Sequence, residues 1–335
     1  MNALRALVGF VGVVLLATAV AWLKLSLFAV VIPYLAFALF LVGFSYRVLR
    51  WAWVPVPFRI TTTCGQQKSL PWIKPARLDN PSTGWGTLGR MTLEVLFFRS
   101  LFRNSRARLE SGRLAFRDDQ WLWLGALAFH WSLLMILLRH LRLFLQPVPA
   151  AVLWIDRLDG ILQVGLPHIY ISDVVLVCAL AYLITRRLSD PVLRFVSLFS
   201  DYFVLFLIFG IALSGLLLRH FMRADLVAIK QFALSLAALH PQVPGPASPI
   251  FVIHLLLVST LAGYFPASKL VHMAGVFLSP TRNLANNNRA KRHINPWNAP
   301  VAHRSYAEWE KEFHDKLKAA GLPIEAQDAE RTTAD

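Results

Sequence analysis

The chain is 335 residues long and 56% hydrophobic, with a mean hydropathy of +0.51 and a formal charge of +15. Its apolar residues gather into runs of the roughly 20 residues that span a bilayer, which excludes an ordinary soluble domain. Two scattered cysteines, Cys64 and Cys178, exclude a disulfide framework and a cysteine zinc site.

Six apolar runs are read, at about 4–23, 26–48, 121–145, 170–187, 196–219 and 250–276. Lipid offers backbone groups no partner but each other, and the runs lack the alternation of barrel strands, so they must be helices. The predicted fold class is an all-α integral membrane protein, a six-helix transmembrane bundle.

The first run follows Arg5 and contains Ala17-Thr18-Ala19, which resembles a signal-peptide cleavage site. Apolar character resumes after Lys24, so a retained span is expected, turning at Lys24–Ser26 into the second; residues 1–48 form an N-terminal pair. Residues 49–119 form a large loop, broken in its first half by Pro55, Pro57, Pro71, Pro75 and Pro81. In its second half Leu93, Leu96, Phe97 and Leu101 recur at helical spacing among arginines, predicting an amphipathic helix over Leu88–Asn104. The core occupies 120–280, and a polar tail follows at 281–335 with a short helix predicted over Tyr306–Ala319. His293, His303 and His314 belong to this wet tail and receive no catalytic role. Cys178 falls mid-span and reads as core packing. Cys64 reads as a surface thiol or as a contact to a redox partner.

The placement of the charge speaks for topology. Segment 47–119 carries thirteen Lys/Arg against five acids, Arg186, Arg187 and Arg194 fill the connection between the fourth and fifth runs, and Lys269, Arg282, Arg289, Lys291 and Arg292 lie around the end of the sixth. The alternate connections, near 141–169 and 220–249, are poorer in base. This positive-inside pattern predicts an inner-membrane protein with both termini and the large loop in the cytoplasm. The basic surface then meets anionic lipid of the bilayer, and no nucleic-acid partner is expected.

Four histidines sit inside apolar runs: His130 and His140, ten residues apart, and His254 and His272, eighteen apart. An imidazole in lipid needs a partner or a cavity and marks a functional site by default. A lone one is more often a hydrogen-bonded packing residue. Four on two long runs point to ligation, and neutral imidazole is a standard axial ligand of haem iron. Eighteen residues make five turns, which puts His254 and His272 on one face of their helix. The third run leads out of the cytoplasm and the sixth leads back, so His130 pairs with His272 on the inner side and His140 with His254 on the outer. The two rises, about 15 Å and about 27 Å, do not match, and helix tilt with a bend at Pro266 can absorb part of the difference.

Phe129-His130 with His140, and His254 to Tyr264-Phe265-Pro266-Ala267-Ser268-Lys269-Leu270-Val271-His272, resemble the two histidine helices of the nitrate reductase gamma-subunit family. Ile32-Pro33-Tyr34 through Arg47, and the turn Thr185-Arg186-Arg187-Leu188-Ser189-Asp190-Pro191, resemble other parts of it. The likeness covers about residues 30–280; the extra N-terminal run and the long loop depart from it. It implies two haems b, with His130/His272 and His140/His254 as iron ligands, and a quinone (menaquinone or ubiquinone) as substrate.

Within the loop, Thr62-Thr63-Cys64-Gly65-Gln66-Gln67-Lys68-Ser69-Leu70-Pro71-Trp72-Ile73-Lys74 and the stretch Leu93–Asn104 resemble the membrane cytochromes of DsrMKJOP-type complexes of dissimilatory sulfur metabolism. That resemblance implies a cytoplasmic iron–sulfur partner like DsrK, other subunits of such a complex, and a quinone beside the outer haem. The nitrate reductase family's quinone-site lysine has no counterpart between His140 and Pro167. Arg142, Asp156, Asp159 and Gln163 are the quinone-site candidates, with a solvated loop as the plain alternative. Arg139, next to His140, reads as a partner for a haem propionate or as a plain interface residue.

Three functions compete: an electron-transfer subunit, a secondary transporter using the histidines as a proton relay, and a membrane anchor without redox work. No inverted repeat or matched pair of broken helices supports the transporter. Trp72, Trp85 and Phe97-Phe98, apolar anchors in a basic loop, suit the docking of a partner.

Overall fold

The computed structural model describes residues 1–24, 26–54, 65–110, 112–160, 169–222, 224–242, 248–287 and 303–325. Cys64, Gln163 and His293 lie outside the described residues. The chain divides into two compact units, 1–54 with 58–292, and 55–57 with 293–335.

In the first unit, α1 (Asn2–Trp22) and α2 (Ser26–Ala52) form the N-terminal pair, and Lys24 between them takes φ 52°. The loop holds α3 (Gly84–Phe97), the one-turn α4 (Arg99–Phe102), and an antiparallel hairpin of β1 (Ser105–Glu110) and β2 (Arg113–Asp118). The hairpin was not predicted. Its signal in the sequence is the alternation Arg106-Ala107-Arg108-Leu109 followed by Gly112, which takes φ 77°.

There follow α5 (Gln120–His140), α6 (Ala150–Asp159), α7 (Ile171–Ser189), α8 (Pro191–Val196) and α9 (Phe199–Leu216). The remainder is α10 (Leu226–Ala237), α11 (Pro249–Tyr264), α12 (His272–Leu278) and α13 (Pro280–Asn283). In the second unit, α14 (Tyr306–Ala319) is the helix predicted for the tail, opened by a capping box between Ser305 and Glu308.

Among the described residues, five helical stretches are long and apolar enough to cross a membrane: Asn2–Trp22, Leu27–Ala52, Gln120–Leu143, Phe199–Phe221 and Pro249–Ala267. α7, the fourth predicted span, is not among them, because Asp173, Arg186 and Arg187 carry charge into it. It nonetheless packs along α5 and α9, and its Leu176, Ala179 and Leu180 share a buried cluster with Phe129 and Ile208. α1 packs on α9 and α11, burying Ala6, Ala17 and Ala21, small residues that let helices approach where lipid supplies no hydrophobic drive. At Gly125 a Cβ would come within 2.6 Å of the Tyr182 ring, so glycine sets the spacing of α5 and α7 there. The outer faces of α1 and α2 expose Leu4, Leu15, Leu35, Leu39 and Val42. Cys178 is exposed on α7 and does not pack in the core as predicted.

The sixth predicted span is not one helix. α11 stops at Tyr264, and two 3-10 turns, Phe265–Ala267 and Lys269–Val271, flank the extended Ser268 (φ −99°, ψ 175°) before α12 begins. Pro266 has no N–H for the helical ladder. Ser268 stitches the break: its hydroxyl donates to the Phe265 carbonyl (2.8 Å) and accepts from the Leu270 amide (3.1 Å). His254 and His272 therefore stand on separate helices, so the rise reckoned for one straight helix does not apply to them.

Candidate functional site

α5 carries His130 and His140, α11 carries His254, and His272 opens α12. The rings of His130 and His272 meet edge to face, with centroids 6.0 Å apart and planes 87° apart. The structure thus brings His130 and His272 together, and it places His140 on α5 and His254 on α11.

Each ring has its Nδ1 engaged. His130 donates to the Ala126 carbonyl, His140 to Ile136 and His272 to Lys269, each at 2.7 Å. His254 Nδ1 lies 2.9 Å from the Ser214 hydroxyl, which itself donates to the Ile211 carbonyl (3.0 Å) and so accepts from the ring. These partners place the proton on Nδ1 and leave the lone pair on Nε2 of each neutral imidazole. Gly215 makes room for His254, since a Cβ there would stand 3.3 Å from its Cε1.

The break before His272 is held by neighbouring helices. Arg47 of α2 donates to the Pro266 carbonyl (3.0 Å), and a Cβ on Gly43 would fall 2.8 Å from the Pro266 ring. Lys269 pairs with Asp201 at the start of α9 (2.7 Å).

Beside His140 lies a buried charged network. Arg139, 7% exposed, pairs with Asp159 (2.9 Å) and Asp173 (2.5 Å) and donates to the Ser172 hydroxyl (3.1 Å). Its guanidinium also lies over the Tyr170 ring, 3.6 Å from the centroid. Asp159 accepts from the Ser172 amide (2.8 Å) and hydroxyl (2.6 Å). Asp156 accepts from the Tyr170 hydroxyl (2.6 Å) and from Arg142 (3.3 Å).

Two carboxylates offset the cost of burying Arg139. Its charge is balanced within the protein by Asp159 and Asp173. Arg142, Asp156 and Asp159 come together here as sequence candidates, and Asp159 is committed to Arg139 and Ser172. Tyr170, Ser172 and Asp173 were missed, because nothing in their local sequence marks them as partners of a distant arginine. Among the described residues no three His, Cys, Asp or Glu side chains converge as a metal-ion site. Histidines in twos suit a metal whose other positions are filled by its own macrocycle.

Apolar membrane-length helices that carry four imidazoles, with His130 and His272 meeting ring to ring, define a class of helical membrane protein built around intramembrane histidines. The kinship is more specific. Residues 84–289 match the nitrate reductase gamma subunit family, and the chain belongs to it. Over 264 residues, 77% of the chain, it is 46% identical to the Hdr-like menaquinol oxidoreductase cytochrome b-like subunit of Archaeoglobus fulgidus, covering 79% of that protein. It is 42% identical over the same length to the protein of the same name in Archaeoglobus profundus, covering 78% of it.

Proposed function

We propose that this chain is a di-haem b membrane subunit that exchanges electrons between the quinone pool and a cytoplasmic iron–sulfur partner. The relatives' names make menaquinone the favoured quinone. The observation that carries the proposal is the facing of His130 and His272 at 6.0 Å, with Nδ1 engaged on all four histidines.

His130 and His272, with ring centres 6.0 Å apart, could hold one metal between them. Nδ1 hydrogen bonds orient such ligands and raise their basicity. His130 and His272 would hold one haem, and His140 and His254 the other. Haem supplies the one-electron redox chemistry when bound. The sequence has no CxxCH motif, so attachment is non-covalent.

The proposed topology sets α1, α2, α5, α7, α9 and α11 across the inner membrane with both termini in the cytoplasm. The charges of α7 then fall at its ends, Asp173 in the first turn and Arg186 and Arg187 in the last. Quinone binds on the outer side beside His140, against Arg142 and Asp156, with Gln163 placed in the same site from the sequence. Asp159 and Arg139 frame that site. Tyr170 holds Oδ1 of Asp156, whose carboxylate accepts a proton from a quinol hydroxyl. The loop's likeness to DsrMKJOP-type cytochromes gives the chain the DsrM place in such a complex, beside a DsrK-like iron–sulfur subunit in dissimilatory sulfur metabolism.

Anaerobic addition of a menaquinol analogue to the purified protein should reduce a b-type haem absorbance. Asp156→Asn should slow that reduction while keeping the haem. Haem that stays oxidised with every quinol tried would contradict the quinone reading, and a spectrum without haem would contradict the whole.

A further inference from the structure

We infer that the elbow between α3 and α4 braces the His130–His272 pair, with Phe98 as its positioning residue and Glu94 as its anchor. The inference rests on the haem reading above.

The elbow is fixed to the helix of one histidine. Trp123 donates its indole N–H to the Phe97 carbonyl (2.7 Å), and Trp131, two turns along the same face of α5, donates to the Leu96 carbonyl (3.0 Å). Carbonyls at the end of a helix lack intrahelical donors, and here the two indoles supply them. Phe102 adds an edge-to-face contact with the Trp123 ring, centroids 4.9 Å apart.

At the bend Phe98 takes φ 51°, ψ 46°, a left-handed conformation that a bulky L-residue keeps only where its surroundings enforce it. The conformation has a use. It turns the Phe98 ring onto His130, edge to face with centroids 4.9 Å apart, while Phe129 meets the same imidazole at 4.9 Å. Phe97 is 52% exposed and stays available to a partner, so the two phenylalanines predicted as one docking anchor have separate roles.

The elbow is also tied to the segment behind the other histidine. One carboxylate oxygen of Glu94 accepts from the Ser100 amide (2.9 Å) and hydroxyl (2.7 Å), closing the bend. The other pairs with Arg282 of α13 (3.1 Å), just beyond the helix that His272 opens. A partner seated on the loop would therefore act on the geometry of the inner pair through Phe98.

The test is low-spin EPR and a redox titration of the purified full chain, with the inner haem assigned by loss of its signal in His130→Ala. Phe98→Ala and Glu94→Ala should shift the inner signal and potential and leave the outer unchanged; Phe98→Tyr, which keeps the ring, should restore the wild-type inner signal. If Phe98→Ala does not accumulate, Trp131→Phe removes one strut and should give the same inner-only shift. Two normal haems in the wild type with unmoved variants, or variants that shift both haems alike, would overturn the brace alone. A wild type without haem would overturn the function reading and the brace with it.

Discussion

His254 and Ser214 join α11 to α9 through a hydrogen bond of 2.9 Å, and the Ser214 hydroxyl donates in turn to the Ile211 carbonyl at 3.0 Å. The relay fixes both the tautomer and the tilt of the outer imidazole. Losing such a partner typically weakens metal binding roughly 10–100-fold. Ser214→Ala should accordingly loosen the outer haem by about tenfold or more and spare the inner one. Haem titration of the apoprotein, followed by absorbance, reads this directly. Equal affinity in wild type and variant would show that the hydroxyl has no part in ligation.

Arg139 is the stability hinge of the end of α5 that carries His140. With its side chain and that of Asp159 both 8% exposed, Arg139→Gln leaves Asp159 and Asp173 buried without their cation. Breaking a buried pair in this way costs roughly 3–5 kcal/mol. Thermal unfolding in detergent should register that loss, and Arg139→Lys should recover only part of it, since one ammonium does not reproduce the fork. A variant as stable as the wild type would mean that water already reaches the network.

Asp79 links the loop's first half to the elbow. Its carboxylate accepts from Arg99 and Arg103, and the Arg99 hydrogen bond is the largest influence holding it below its ordinary value of 3.8. A depressed folded-state value means that the folded loop binds this proton less readily than the unfolded one. The stabilisation is complete above the ordinary value and fades as pH falls through the lowered one. For partly exposed pairs it amounts to about 1 kcal/mol or less. Hydrogen exchange over 65–104 should stay protected at neutral pH and weaken below about pH 4. Asp79→Asn should bring that weakening to neutral pH, and protection that never changes on acidification would contradict the assignment.

The parts legible in the sequence are those that depend on order and spacing alone. Antiparallel runs suffice to put His130 opposite His272, whatever the helix between His254 and His272 does. The break itself was visible only as Pro266; its extended Ser268 and the clamp from Arg47 are tertiary. Arg139 read as an interfacial residue because its acids come from α6 and α7. Phe98 read together with Phe97 as a docking anchor, since helical periodicity cannot show a left-handed elbow. The β1–β2 hairpin is the opposite case: alternation and Gly112 were present, but the arginines around them drew the reading toward a charged loop.

In the proposed function, four histidines hold two haems in two pairs. Reduced-minus-oxidised spectra with haem content, measured on the wild type and on His130→Ala, His272→Ala, His140→Ala and His254→Ala, test it most directly. Our account predicts two low-spin b-type haems in the wild type, one and the same haem lost in His130→Ala and His272→Ala, and the other lost in His140→Ala and His254→Ala. Loss of the same haem in His130→Ala and His140→Ala, or a wild type without a b-type spectrum, would contradict it.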